Sequence, residues 1–188
     1  LTAIMAEYVK SFRDLPIYAY QFQTKFRNET RAKSGIMRGR EFLMKDLYSF
    51  SPDEKSHNEF YENAKTAYGK IFEKVGVKAH LTFASGGSFS QFSHEFQVVT
   101  DAGEDEILIC EKCGVAVNKE IFKSPHTCEN CQGRLPEKFQ KAVEVGNIFS
   151  LGTRFSDAFG LNYVNEKDEK QSVIMGSYGL GLGRLGRR

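Results

Sequence analysis

The chain has 188 residues, of which 40% are hydrophobic and 13% aromatic, enough to build the core of one domain or of one domain with an appendage. Its formal net charge of +2 is too small to indicate nucleic-acid binding by itself. The sequence contains neither a run of about 18 apolar residues nor a signal-peptide pattern, so we expect no membrane span and no membrane partner.

Two helices are predicted in the first half of the chain. Apolar residues at helical spacing predict a helix over residues 2–13, and Pro16 stops it. A second helix is predicted to start with Ser51 as its cap and Pro52 in its first helical position, and to run to Val75. Because Leu1 already lies inside a helical pattern, we expect the chain to be an internal piece of a longer polypeptide or a shortened form of one.

A hairpin is predicted between these helices. Two apolar, strand-like runs, 17–26 and 36–46, flank a polar loop over residues 30–35, which indicates antiparallel pairing. In that arrangement we expect Arg27 and Arg38 to face one ligand from opposing strands.

The second half of the chain reads as short strands with few helices. Hairpin-linked strands of this kind predict a mainly antiparallel sheet in an α+β domain. The predicted strands cover residues 77–83, 93–99, 106–110, 143–155, 158–164 and 171–177. A Gly-rich segment that ends at Arg184 follows the last of them.

All four cysteines fall in one insert, as Cys110-Glu-Lys-Cys113 and Cys128-Glu-Asn-Cys131. Paired CxxC elements bring four thiolates to one ion, and zinc is the usual choice. A closed set of four sulfurs leaves no open coordination position, so we predict a structural role for the metal. Four ordinary thiols or two disulfides are the alternatives. Reduced thiols indicate the cytoplasm.

The insert divides the chain into three predicted units. They are a core part over residues 1–109, the cysteine insert over 110–133 and a second core part over 134–188.

The residues from Arg27 to Phe42 suit a nucleoside triphosphate. Guanidinium groups such as those of Arg27 and Arg38 bind phosphate bidentately and stay charged. Phe42 offers a flat apolar face on which a purine can stack. On their own, the arginines are equally compatible with surface pairs to Glu29 and Glu41, and Phe42 with the core.

Five segments in order resemble the catalytic core of the class II aminoacyl-tRNA synthetases, and within that class the prolyl-tRNA synthetases. The resemblance extends from Leu1 to Arg184. The segments are Phe26-Arg27-Asn28-Glu29, Arg38-Gly39-Arg40-Glu41-Phe42, Ser93-His94-Glu95-Phe96, Leu151-Gly152-Thr153-Arg154-Phe155-Ser156 and Gly176-Ser177-Tyr178-Gly179-Leu180-Gly181.

The resemblance implies an α+β fold with a class II antiparallel sheet, flanking helices and a small zinc knuckle. It also implies ATP-dependent activation of proline, with ATP and Mg²⁺ as cofactors and transfer of the proline to tRNA(Pro). The full-length protein would be a homodimer. The first class II motif, the upstream Thr-x-Glu loop and the anticodon-binding domain are not found in the chain, so this fragment is expected to be impaired. The editing insertion is not found either, so no hydrolysis of mischarged alanyl-tRNA is expected.

The nucleotide site is implied residue by residue. Arg27 would hold the α-phosphate and the amino-acid carboxylate and so act in catalysis, and Glu29 would accept a hydrogen bond from the adenine amino group. Arg38 would reach the distal phosphates, and Phe42 would stack on adenine. Arg184, the second implied catalytic residue, would lie near the adenine and the γ-phosphate.

Four further residues complete the implied site. Glu144 would contact the nucleotide and help to place magnesium. Ser177 and Gly179 would line a small prolyl pocket beside Met44, together with Arg27. Two other functions stay open from the sequence: a non-catalytic synthetase-like module that binds tRNA or protein, and a class II enzyme specific for threonine or serine.

Overall fold

The computed structural model describes residues 1–30, 32, 35–87, 92–123 and 126–185. The helices are α1 (Thr2–Tyr8), α2 (Glu54–Lys74), α3 (Arg154–Phe159) and α4 (Leu182–Leu185), with 3-10 turns at Phe12–Asp14 and Gly35–Met37. The strands are β1 (Ile17–Phe26), β2 (Glu41–Ser51), β3 (His80–Ser85), β4 (Phe92–Val99), β5 (Asp105–Ile109), β6 (Ala116–Asn118), β7 (Gln140–Gly152), β8 (Asn162–Val164), β9 (Lys170–Ser172) and β10 (Ile174–Gly181). Among these described elements, no helix is both long and apolar enough to cross a membrane.

One sheet of eight strands organises the structure, in the order β1-β2-β10-β7-β4-β3-β6-β5, and β5 also pairs with β7. Every pairing in it is antiparallel except that of β3 with β6. The short strands β8 and β9 form a separate pair. The predicted α+β fold with a mainly antiparallel sheet is therefore confirmed.

Helix α2 covers one face of the sheet and leaves the other face for the site. Tyr68 and Phe72 of α2 are buried against Phe96, Ile148 and Tyr178 of the central strands. Because neighbouring residues of a strand point to opposite faces, Asn147 and Ser177 lie on the uncovered face. The helix was predicted to begin with Ser51 as cap. The cap is instead Asp53, whose Oδ1 accepts a hydrogen bond from the Ser56 amide at 2.7 Å.

The first helix is shorter than predicted. It ends at Tyr8, and Val9 has an extended backbone with φ −88° and ψ 115°. The Val164 amide donates to the Lys10 carbonyl at 2.9 Å, and Ser11 bridges to the same strand. Tertiary pairing with β8 thus draws residues 9–11 out of the predicted helix.

The hairpin forms with a different second strand. Phe26 of β1 pairs with Glu41, and the Arg27 amide adds one hydrogen bond to the Arg40 carbonyl at 2.9 Å. Residues 35–37 form a 3-10 turn, so the strand predicted over 36–46 is wrong in its first part. Arg38 lies outside the paired strands and does not face Arg27 across the hairpin. The turn residues Lys33 and Ser34 lie outside the described residues.

The strands predicted over 143–155 and 158–164 are interrupted by a helix. Strand β7 ends at Gly152, and α3 follows over Arg154–Phe159. Gly160 closes α3 with φ 65°, a left-handed conformation that glycine adopts without strain.

The strand predicted over 171–177 is two strands. Strand β9 covers Lys170–Ser172, and β10 continues through the glycines to Gly181. Glycines that look like a loop in sequence are therefore part of the central sheet.

The cysteine insert joins the main sheet. Strand β6 lies inside it, between the two CxxC elements, and pairs with both β3 and β5. The Cys110 amide donates to the Val115 carbonyl at 2.9 Å, so the first CxxC forms the turn of a β5–β6 hairpin.

Candidate nucleotide and amino-acid site

Two pockets adjoin on the uncovered face of the sheet. The first is lined by the hairpin ends and the last helix, including Arg27, Glu29, Arg38, Phe42, Glu144 and Arg184. The second lies over the middle of β2, β7 and β10 and includes Asp46, Tyr48, Phe149, Phe155, Met175 and Ser177. Arg27, Met44, Asn147 and Gly179 line both, so they form the junction.

Arg27 stands at this junction because β1 ends one residue before it. Its guanidinium carbon lies 5.0 Å from the centroid of the Phe42 ring on the adjacent strand. A cation over an aromatic face is attracted to the π-electrons of the ring. The arginine can therefore reach either pocket from one position.

Arg38 is held by two carboxylates. Its Nη1 lies 3.1 Å from Glu29 Oε2, and its Nε lies 2.7 Å from Glu104 Oε2. Arg40 Nε donates to the Glu29 carbonyl oxygen at 3.0 Å. The segment after β1 is thus tied to the segment before β2 by ionic and backbone contacts.

Arg184 is anchored on the far side of the first pocket. Its Nε donates to the Met37 carbonyl at 2.9 Å and its Nη1 to the Glu144 carbonyl at 2.7 Å. Glu144 Oε2 lies 3.4 Å from the same Nη1, while Glu144 Oε1 accepts from Asn147 Nδ2 at 2.7 Å. Glu144 therefore connects Arg184 with the junction of the two pockets.

The second pocket contains a buried carboxylate that sequence reasoning missed. Asp46 is only 3% exposed, and its Oδ2 accepts hydrogen bonds from Lys25 Nζ at 3.0 Å and from Gln21 Nε2 at 3.1 Å. Its Oδ1 is buried without a hydrogen-bond partner in the described part of the chain. Period-two alternation from Met44 along β2 was the available signal, since it puts both side chains on one face.

Gly179 is required at the junction by close contact. A Cβ atom at this position would lie 2.8 Å from Asn147 Oδ1, well inside normal contact distance. The absence of a side chain at Gly179 thus leaves space for the Asn147 amide between the two pockets.

Several carboxylates lie behind the first pocket. Burial raises the pKa of Glu95 to about 8, and the charges of Glu144 and Asp105 add to the shift. Gln97 Nε2 donates to Glu95 Oε2 at 2.7 Å and to Asp105 Oδ2 at 3.0 Å. The carboxylates in this part of the site repel one another, so a proton or a cation that binds here is stabilised.

The four cysteine sulfurs form a separate cluster. They all lie within 4.8 Å of one another, with 3.6 Å between Cys110 and Cys131 and 3.6 Å between Cys113 and Cys128. A tetrahedral ion with Zn–S bonds of about 2.3 Å requires sulfur separations of about 3.8 Å. The donor set and its spacing fit zinc.

The structure thus brings the predicted site residues together in four groups. Glu29, Arg38, Phe42, Glu144 and Arg184 line the first pocket, and Arg27, Met44 and Gly179 line the junction. Ser177 lies in the second pocket alone, and the cysteines form their own cluster. Glu104 and Asp46 were not predicted.

Comparison with known proteins gives one family. Residues 1–186 match the tRNA synthetase class II core domain (G, H, P, S and T). The chain is 39% identical over 188 residues to the probable mitochondrial proline–tRNA ligase of Rattus norvegicus, covering 98% of this chain and 39% of the relative. It is 34% identical to the proline–tRNA ligase of Sulfurimonas denitrificans, covering 94% of this chain and 45% of that relative.

A solved structure has the same fold. The prolyl-tRNA synthetase of Cryptosporidium parvum, complexed with L-proline and AMP, superposes with a TM-score of 0.71 at 19% identity, covering 98% of this chain and 31% of that chain. The chain spans less than half the length of these relatives. The match over residues 1–186 and the shared fold show that the chain belongs to the family of class II tRNA synthetase core domains.

Proposed function

We propose that the protein activates proline with ATP to form prolyl-adenylate and transfers the proline to tRNA(Pro). The observation that carries this proposal is the junction of two pockets at Arg27. A reaction that joins an amino acid to a nucleotide needs two adjoining sites and a cation between them. The names of the relatives from Rattus norvegicus and Sulfurimonas denitrificans support proline as the amino acid.

In the proposed reaction, Arg27 stabilises the transition state. A carboxylate oxygen of proline attacks the α-phosphorus of ATP, the bond to the bridging oxygen breaks, and pyrophosphate leaves. Negative charge builds on the α-phosphate oxygens, and a fixed guanidinium stabilises it without reorganisation. Binding the carboxylate with the same side chain also brings the two reactants into line.

The nucleotide lies in the first pocket in this proposal. Phe42 stacks on adenine, Glu29 accepts from the adenine amino group, and Arg38 and Arg184 bind the distal phosphates. Mg²⁺ would be held by Glu144, whose oxygens are the hard ligands that this ion prefers. The ion would neutralise phosphate charge close to the carboxylates behind the pocket.

The amino acid lies in the second pocket. Met44, Ser177 and Gly179 bound a space that fits a small apolar ring. The free Oδ1 of Asp46 suits the ammonium group of an amino acid, because an unpaired buried carboxylate oxygen gains most from a cationic donor.

We also propose that the four thiolates bind one structural Zn²⁺, which closes the β5–β6 hairpin. Thiolates are the ligands for which zinc has high affinity, and a reducing compartment such as the cytoplasm keeps them available.

A homodimer is proposed from the edge of the sheet. Strand β1 is the outer strand, and its Tyr20, Phe22 and Phe26 are 69%, 65% and 76% exposed. Aromatic side chains of this kind are enriched at protein interfaces. Light scattering on the protein that contains this chain tests the dimer, and a monomeric mass at micromolar concentration would contradict it.

The activity is tested by amino-acid-dependent ATP–pyrophosphate exchange with each of the twenty amino acids, in the protein that contains this chain. Exchange with proline, or with proline and more weakly alanine, is the expected result. Exchange with threonine or serine alone would assign another specificity. ATP binding without any exchange would favour a non-catalytic module.

A further inference from the structure

Glu104 lies outside every segment that carries the resemblance to the class II synthetases, yet it contacts Arg38, which lines the first pocket. It belongs to the turn between β4 and β5, far along the chain from the hairpin. Its Oε2 is 2.7 Å from Arg38 Nε, a shorter contact than the 3.1 Å between Arg38 Nη1 and Glu29. Arg38 is therefore held from two sides by residues of different parts of the fold.

The turn that carries Glu104 is fixed by its own backbone. The Thr100 amide donates to the Lys141 carbonyl and the Gly103 amide to the Thr100 carbonyl, both at 3.0 Å. Gly103 packs so closely on Ala142 of β7 that a Cβ atom would overlap the Ala142 backbone. Glu104 is thus presented from a rigid position on the central sheet.

Arg38, by contrast, belongs to none of the strands β1 to β10 and is a single bridge residue. It lies outside the paired strands of the hairpin, after the 3-10 turn, and carries a long side chain with about 2 kcal/mol of rotamer entropy. A guanidinium has five N–H donors; Arg38 Nη1 donates one hydrogen bond to Glu29, and Nε is in ion-pair contact with Glu104. The other donors remain available to phosphate oxygens.

We propose that Glu104 is a positioning residue that holds Arg38 ready for the β- and γ-phosphates of ATP. The inference rests on the proposed nucleotide site. The contact between Arg38 Nε and Glu104 is an ion pair, so its benefit depends on the charge of Glu104. Glutamine has nearly the same shape and no charge, so Glu104→Gln measures how much of the effect comes from the ion pair.

The test is calorimetric titration of the protein that contains this chain with MgATP and with AMP. Glu104→Ala is expected to weaken MgATP binding roughly 3- to 10-fold, the range that corresponds to ordering one long side chain. AMP lacks the distal phosphates, so its affinity is expected to change less than about twofold. Glu104→Gln is expected to weaken MgATP binding as well, though less than Glu104→Ala, because it removes the charge of the ion pair and keeps a polar side chain.

Glu106→Ala is the matched control. Glu106 is two residues away and pairs with Lys119 Nζ at 2.6 Å, on the exposed side of β5. Pairs this exposed contribute about 0–1 kcal/mol to stability, so both alanine variants are expected to fold. In an Arg38→Ala background, Glu104→Ala is expected to have no further effect on MgATP affinity, because the group that it positions is gone.

Four results would overturn the inference. Unchanged MgATP affinity in Glu104→Ala would show that Glu104 has no role in binding. Tighter MgATP binding in this variant would show that Glu104 competes with phosphate for Arg38. Equal weakening of MgATP and AMP indicates a general structural effect. If the parent chain binds neither nucleotide, the proposed ATP site fails together with the inference. If the parent chain binds both nucleotides and the variant is unchanged, only the inference fails.

Discussion

The guanidinium carbon of Arg27 lies 5.0 Å above the Phe42 ring, so the cation at the junction of the two pockets rests on the aromatic ring of the nucleotide pocket. The two side chains come from adjacent strands, one just past the end of β1 and one near the start of β2. The contact couples the ring proposed to stack on the base to the group proposed to act on the α-phosphate.

Replacing Phe42 is expected to weaken nucleotide binding. Base–aromatic stacking contributes about 1–3 kcal/mol, so Phe42→Ala should raise the dissociation constants of ATP and AMP by a similar factor. Phe159→Ala is the control, because Phe159 is exposed at the end of α3 and lines neither pocket. Calorimetry measures the ATP and AMP affinities of both variants. An AMP affinity in Phe42→Ala equal to that of the parent would show that the base does not stack on this ring.

Arg27→Lys keeps the charge and removes the bidentate fork. Proline-dependent ATP–pyrophosphate exchange is expected to fall about 10²- to 10³-fold, the usual cost of one group that stabilises transition-state charge. ATP affinity should change much less, since the other arginines still bind phosphate. Exchange within about tenfold of the parent would place the critical cation elsewhere.

Gly179→Ala is expected to abolish proline activation. The new Cβ would be 2.8 Å from Asn147 Oδ1, so the amide must move and lose its hydrogen bond to Glu144. Gly69→Ala is the control in the exposed part of α2. A Cβ there meets nothing within 4 Å, and alanine should stabilise the helix by about 0.5–1 kcal/mol. Normal proline exchange in Gly179→Ala would rule out the close contact as a functional constraint.

Glu95→Gln should stabilise the chain, more so as the pH rises. The pKa of Glu95 is raised from 4.5 to about 8 in the folded state, so between these values the folded chain binds more protons than the unfolded chain. Stability contributed by the protonated group is present below pH 4.5 and lost as the pH rises through 8.

Urea unfolding at several pH values measures this effect. Because glutamine does not titrate, the advantage of Glu95→Gln should grow by at least ~1 kcal/mol between pH 5 and pH 8. Glu73→Gln, on the exposed side of α2, is the control. An advantage that is constant with pH would contradict the raised pKa of Glu95.

Metal binding depends on all four thiolates in the proposed zinc site. Elemental analysis should find about one zinc per chain, and less than about 0.2 in Cys128→Ser. His126→Ala is the control, since the His126 ring contacts the Pro136 carbonyl at 3.0 Å and is not needed by a four-sulfur set. A zinc content below about 0.2 equivalents in the parent chain would contradict the proposed zinc site.

Features set by nearby residues were predictable from the sequence. The spacing of the cysteines predicted their cluster, and β1 and the long helix α2 lie close to their predicted positions. These features are predicted by apolar alternation, by the helical period and by the CxxC spacing, and each of these signals is local in the sequence.

Features set by distant partners were not predictable. Residues 9–11 leave the helix because Val164 pairs with them, and Arg38 finds Glu104 across the fold. Gly179 of β10 looks like a loop residue in the sequence, because its role is a close approach to Asn147 that the sequence does not display. The roles of the individual site residues stay predictions.

The position of β10 has a consequence for biosynthesis. It is the last of the described strands, yet it lies between β2 and β7 in the middle of the sheet. Until residues 174–181 leave the ribosome, the β1–β2 hairpin and the sheet built on β7 are two pieces, each with an open edge. Such non-local pairing slows folding, so the nascent chain depends on a late insertion to cover the edges through which it would otherwise aggregate.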